Sequence, residues 1–196
     1  MLINLSSDKV EIFQNNNITI LEKNNLERNF PQTLKKLNLQ KNNKIYIINW
    51  PWSFTTLRVW TLTINIINRL LKKKLNIYNT SKIELYKFLV WKNILPTKWI
   101  IYIWQRKKAR LYDFTKNTYD YILYSEIKNL NSNYFIDKIY SINHNLKIDF
   151  YLENNNLVIK FLSNIHKISF KNLPFIKTNL IKPNYILRPN ICLKNN

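Results

Sequence analysis

The chain has 196 residues, 46 % of them apolar, enough to build a core in one large domain or two small ones. Its formal net charge is +20 with a pI near 10.0; the single cysteine, Cys192, excludes an internal disulfide and a cysteine metal cluster, and the absence of an apolar run of about 18 residues argues against a membrane helix. Glycine is wholly absent, where average usage of about 7 % would supply roughly 14.

Residues 2–5, 10–13 and 18–21 are short apolar runs separated by Ser6-Ser7-Asp8 and Asn15-Asn16-Asn17, and predict a three-stranded antiparallel meander. Residues 30–39 carry Phe30, Leu34 and Leu37 at helical spacing, with Pro31 expected in the first turn. Residues 45–48 read as a strand too uniformly apolar to be exposed. After Asn49-Trp50-Pro51-Trp52 a helix is expected over 57–71, capped by Ser53 or Thr55. Its main stripe is Leu57, Thr61, Ile64, Asn68 and Leu71, and Leu62, Ile66 and Ile67 put apolar groups on other faces. Such a helix is expected to be buried on more than one side, at the centre of its domain or under a partner.

A short strand over 76–78 precedes a helix to residue 90, with Ser81 and Glu84 as a capping box. Residues 99–104 and 109–114 predict a hairpin joined by Gln105-Arg106-Lys107-Lys108, and 119–124 a third strand. Residues 134–142 read as a short helix or loop, and 148–152 and 157–162 as strands. Together the elements predict an α/β chain of two subdomains, 1–97 and 98–196, the second smaller and mostly β.

Lysine outnumbers arginine 25 to 6, and Asn, Lys and Ile, with Tyr and Phe beside them, are abundant residues specified by AT-rich codons. The charge therefore reads first as drift toward lysine codons, because a surface built for phosphate would use more arginine forks. Glycine codons are scarce in the same composition, yet an α/β fold needs positions of positive φ, so another residue type should stand in. The cysteine usage and the lack of a basic-then-apolar N-terminal pattern fit a reducing cytoplasmic setting.

The segment Asn49-Trp50-Pro51-Trp52-Ser53-Phe54-Thr55-Thr56-Leu57-Arg58-Val59-Trp60 resembles the signature N-G-P-G-S-F-T-G-L-R-I-G of the TsaB (YeaZ) family. Three glycines of that signature are tryptophan here, at Trp50, Trp52 and Trp60, and the fourth is Thr56. Weaker likenesses follow in order. Residues 34–39 resemble the family's first helix, Thr80-Ser81-Lys82-Ile83-Glu84-Leu85 its S-S-L-E-A-L segment, and Pro183-Asn184-Tyr185-Ile186-Leu187-Arg188 its terminal P-x-Y-L-R. Trp104-Gln105-Arg106 with Arg110-Leu111-Tyr112 resembles its D-A-R…E-V-Y hairpin, from which Gln105 and Arg110 depart. Tryptophan at several such places, and Trp91 where a helix ends, suggests glycines encoded by UGA and written as tryptophan; the other reading is a surface patch of genuine aromatics.

The resemblance implies an actin-like, ribonuclease-H-like fold of two subdomains with mixed sheets. It implies a non-catalytic scaffold that binds a TsaD-like paralogue, works beside a TsaE-like ATPase and a threonylcarbamoyl-AMP synthase, and meets tRNA through that complex. The product is threonylcarbamoyladenosine at tRNA position 37, and a homodimer is the other assembly it allows. On this reading Phe30, Leu34, Leu37, Leu57, Val59, Ile64, Ile67 and Leu71 meet the partner, and Asn49, Trp50, Pro51, Trp52, Ser53, Phe54, Thr55, Arg58 and Trp60 form the motif loop and its helix start.

The residues themselves argue against catalysis. His144 and His166 lack neighbouring ligands at metal spacing, so no metal and no cofactor is expected. There is no phosphate-binding Walker loop, and Ser53 lacks the second glycine and the Asp/His partners of a nucleophile elbow. The competing class is a basic RNA-binding or ribosomal-type protein, contacting RNA through Arg106, Lys107, Lys108 and Arg110 with Tyr102 and Tyr112 as stacking rings.

Overall fold

The computed structural model describes residues 1–6, 10–14, 17–22, 25–37, 39, 44–49, 54–71, 74–93, 95–102, 108–127, 129–130, 134–137, 151–152 and 173–183. β1 (Leu2–Asn4), β2 (Val10–Gln14) and β3 (Asn17–Leu21) form the expected antiparallel meander. Side chains alternate across it, so Ile3, Val10 and Ile12 face one layer while Leu2 and Phe13 face the other.

α1 (Leu26–Lys36) begins earlier than expected. Asn25, left-handed at φ 59, starts the helix, and Leu26, Phe30 and Leu34 recur at four-residue steps on its buried face. Pro31 consequently lies inside the helix rather than in its first turn, where its ring leaves the Glu27 carbonyl without an i+4 donor.

β4 (Lys44–Asn49) runs parallel to β1. α2 (Phe54–Leu70) follows, so that Thr55 is helical and is not the cap. β5 (Asn76–Ser81) runs parallel to β4 and is longer than its apolar core predicts. The order β3-β2-β1-β4-β5, an antiparallel meander continued by two parallel strands, is the ribonuclease-H-like arrangement of an actin-like α/β fold.

α3 (Lys82–Trp91) is capped by Ser81, whose Oγ accepts from the Glu84 N–H at 3.1 Å, as the capping box predicts. Its apolar groups point all round because both sides are covered. Ile83, Tyr86 and Leu89 share one core with Leu2, Phe13, Tyr46 and Ile48 of the first sheet and with Trp99, Ile101 and Tyr112 of a second. That second sheet is β6 (Lys98–Tyr102), β7 (Lys108–Asp113) and β8 (Thr118–Leu123), antiparallel in turn, with α4 (Tyr124–Ile127) closing its far face through Ile127. α1 and α2 cover the opposite face of the first sheet, where Phe30, Leu34 and Ile64 meet Ile3, Ile45, Ile47 and Ile77.

β9 (Phe135–Asp137) and β10 (Tyr151–Leu152) extend the second sheet in parallel from β6. Residues 135–137 were expected in a helix or loop; the open edge of β6 takes them as a strand, with Phe135 opposite Trp99. β11 (Ile176–Thr178), not foreseen, returns from the second half of the chain to pair antiparallel with β5. Beyond it the Asn65 side chain donates to the Ile181 carbonyl at 2.9 Å and accepts from its N–H at 3.0 Å, locking this segment to α2. The expected strand at 157–162 and the terminal segment from 184 lie outside the described residues.

The glycine problem has an answer. Among the described residues, positive φ occurs at Asn25, Asn93 and Asn117, all asparagine. Asparagine is the side chain that tolerates the left-handed region best after glycine. Asn93 does so just past α3, one residue beyond the Lys92 cap, where a glycine commonly ends a helix.

Candidate partner-binding face

α2 is divided lengthwise. Trp60, Thr61, Ile64 and Asn68 are buried against the first sheet and α1, and the Asn68 Oδ1 accepts from the Leu75 N–H at 2.8 Å. Leu62, Ile66 and Leu70 are 60 %, 46 % and 78 % exposed. Four-residue steps put these three in one row, about 12 Å long, on the side away from Ile64. Of the two ways α2 was expected to be buried on more than one side, cover from its own domain is not found among the described residues. Thr61 and Ile64 are covered as expected, while Leu62 and Ile66 face outward.

A groove flanks the row on each side. One, of about 340 Å³, lies between α1 and α2 and is lined by Pro31, Leu34, Lys35, Leu39, Ile67, Leu70 and Leu71. The other, of about 540 Å³, lies between α2 and the segment after β11, with Leu62, Asn65, Ile66, Arg69, Lys74, Asn179 and Leu180 among its walls. Leu180 is itself 54 % exposed.

The sequence-predicted partner residues fall into two groups. Phe30, Leu34 and Ile64 are only 1–2 % exposed and belong to the core, which leaves them almost no area to offer a partner. Leu37, Val59, Ile67 and Leu71 are half-buried, and Ile67 and Leu71 line the groove beside α1. For Leu57 the structure describes the backbone alone. Leu62, Ile66 and Leu70, the outward row, were missed as partner residues. Their signal was a second apolar stripe at four-residue steps, about 200° round the helix from Ile64.

Asn49 of the motif loop ends β4 beside Ser81 of β5 and is buried. Trp50, Pro51, Trp52 and Ser53 lie outside the described residues, Phe54 and Thr55 form the first turn of α2, and Arg58 is exposed one turn on. The described tryptophans, Trp60, Trp91 and Trp99, do not share a surface patch. Trp60 is 3 % exposed, edge-on to Phe30 at 4.4 Å. Trp99 is fully buried against Tyr86 and donates its Nε1–H to the Pro96 carbonyl at 2.6 Å. Trp91 alone of the described tryptophans is exposed, at 71 %, with the Lys92 Nζ 4.2 Å from its ring.

The basic hairpin is placed in part. Arg106 and Lys107 lie outside the described residues, and Lys108 is half-buried. Arg110 is buried rather than turned to solvent. Its guanidinium donates to the Tyr112 Oη at 3.3 Å and the Tyr121 Oη at 2.9 Å and lies 3.9 Å from the centre of the Tyr119 ring. These contacts occupy it within the sheet, a correction to its expected place among the RNA-facing cations. Burial pushes the Tyr112 hydroxyl above the usual tyrosine range, with Arg110 pulling the other way. His144 and His166 lie outside the described residues.

At the end of β1, Asn4 donates to the Glu11 carboxylate at 2.6 Å and accepts from the Ser6 N–H and hydroxyl at 3.1 and 2.7 Å. This keeps a mostly buried acid supplied with donors. No helix among the described residues is long and apolar enough to cross a membrane.

No protein-family model matches the chain, and no curated protein matches it. Several solved structures resemble it, among them the following two. One is YeaZ from Pseudomonas aeruginosa, at 10 % identity and TM-score 0.48, with 94 % of this chain and 98 % of that one covered. The other is an uncharacterized protein with similarity to peptidase YEAZ from Pseudomonas aeruginosa, at 8 % identity and TM-score 0.48, covering 95 % of this chain and 98 % of that one.

Proposed function

We propose that the chain is a non-catalytic scaffold of the TsaB type, acting in the cytoplasm in the formation of threonylcarbamoyladenosine on tRNA, and that α2 is the helix it offers to a TsaD-like partner. The observation that carries this reading is the uncovered row Leu62, Ile66 and Leu70 with a groove on each side. Three large apolar side chains in line on one helix are the pattern of a helix awaiting another helix. The row lies on the helix that begins within the N-x-P-x-S-F-T-like segment, so the specific motif and the apolar face belong to one element. The TsaE-like ATPase and tRNA join this reading through the partner, and a second copy of this chain is the other occupant the face would take.

The test is pairing in solution, by sedimentation or calorimetry, with the TsaD-like protein of the same cell. The native chain should pair at micromolar concentration or below. Leu62→Asp with Ile66→Asp should weaken pairing at least about a hundredfold, a loss of roughly 3 kcal/mol. Both positions are exposed, so the melting temperature should stay put. Pairing that ignores the two aspartates would remove the proposed face, and no pairing at all would remove the scaffold reading.

The written tryptophans are checked by the mass of the tryptic peptide from Ile45 to Arg58, which holds Trp50 and Trp52. Glycine at both would restore the N-G-P-G-S-F-T start of the family motif, with Thr56 still a departure from it.

A further inference from the structure

We infer that the outer edge of the second sheet, around Tyr119 and Tyr121, is a stacking platform for single-stranded RNA. The inference stands apart from the scaffold reading, because it uses another sheet and another chemistry.

β8 is the last strand of its sheet, and its odd-numbered residues share one face. Further in, that face is core: Trp99 and Tyr112 lie beneath Tyr86 of α3. The cover ends at β8, where Tyr119 and Tyr121 are 43 % and 42 % exposed. An interior aromatic surface thus continues into solvent as two open rings.

The rings are held in place. Register puts Tyr112 opposite Tyr119 and Arg110 opposite Tyr121. The Arg110 guanidinium lies on the Tyr119 ring and donates to the Tyr121 hydroxyl, and the two rings meet edge to face at 5.7 Å and 84°. Fixed rings lose little freedom when a base stacks on them.

Charge selects the occupant. The Lys108 Nζ is 5.9 Å from the Tyr121 ring and Lys116 stands in the turn that leads into β8, while Arg110, buried, backs the rings without facing the ligand. Glu84 lies near enough to act on Tyr112, but one strand further in. Asp120 falls on the opposite face by alternation. Flat open rings among cations, on a chain of net charge +20, suit a ligand that is anionic along its backbone and flat in its bases. The sequence reading sought stacking from Tyr102 and Tyr112. Tyr112 is buried, and the open rings are one strand further out.

The experiment uses the full chain and a labelled oligouridylate of about twelve nucleotides, with inorganic polyphosphate as a charge-only control. Tyr119→Ala with Tyr121→Ala should weaken oligouridylate binding about tenfold or more, leave the salt dependence unchanged and leave polyphosphate binding alone. Tyr119→Phe with Tyr121→Phe keeps the rings but loses the hydroxyl that accepts from Arg110, and should bind within a few fold of the native chain, well above the alanine pair. Ultraviolet crosslinking of the native chain should mark the tryptic peptide spanning residues 117–128, at Tyr119 or Tyr121, a readout independent of how the variants fold. Native affinity in the alanine pair, equal losses in both pairs, or crosslinks confined to other peptides would overturn the assignment. So would polyglutamate binding with the same dependence on the two rings, which would give the face to an acidic protein.

Discussion

Asn117 stands at φ 54 in the turn from β7 to β8, where a chain with glycine would ordinarily use it. Just before it, Asp113 accepts from the Lys116 and Thr115 N–H groups; these bonds, that of Lys116 first, hold its carboxyl below the usual range. Asparagine is tolerated in the left-handed region, whereas an ordinary Cβ-bearing residue there costs about 1–2 kcal/mol. Asn117→Ala should therefore destabilise the fold by about 1 kcal/mol, and Asn117→Gly should stay within about 0.5 kcal/mol of native, both read from denaturant melts. Equal effects would mean that the turn does not depend on backbone freedom. The need for a glycine substitute could be stated from composition alone. Which asparagines serve could not, because 117 is one of many, and only the strand register decides which one turns the corner.

At the scale of one element, α2 holds two isoleucines two residues apart with opposite roles. Ile64 is 2 % exposed in the core beneath α1, and Ile66 is 46 % exposed in the outward row. Ile64→Ala should cost about 2–5 kcal/mol through the cavity it leaves. Ile66→Ala should fall within about 0.5 kcal/mol and show its effect only where a partner covers it. Thermal melts of the two variants, side by side, separate the faces; equal losses would place Ile66 in the core. The stripe Thr61, Ile64 and Asn68 was legible because helical periodicity names a buried face directly. The second stripe was legible as apolar but not as exposed, since periodicity cannot say how many sides of a helix are covered. α3 is the counter-case: its apolar residues Ile83, Tyr86 and Leu89 are shared between two sheets, while Glu84 and Lys87 face solvent.

Across the whole molecule, the chain closes on itself through a short return. β11 completes the first sheet against β5, and the Asn65 amide holds the Ile181 backbone with two hydrogen bonds across 116 residues of sequence. Ile181 is 1 % exposed, so its N–H has no ready substitute for the lost acceptor. Asn65→Ala should cost about 1–3 kcal/mol and speed amide exchange at Ile181 well before global unfolding. Unchanged exchange there would show that β11 alone secures the return. The same segment walls the second groove beside α2 through Asn179 and Leu180, so loosening it should also disturb the proposed partner face.

Local physics was enough for most of the elements. Short apolar runs between polar segments marked β1 to β4, a capping box marked the start of α3, and composition announced that something must replace glycine. Those signals act within a few residues, so they are written in the order of the chain. Tertiary structure decided what depends on distant neighbours. Residues 135–137 are a strand because β6 has a free edge, and β11 exists because β5 does. Arg110 is structural because two tyrosines of β8 reach it, and Leu62, Ile66 and Leu70 lie open because nothing else in the described chain covers them. Pairing and burial are properties of contacts between segments far apart in sequence, and no local pattern contains them.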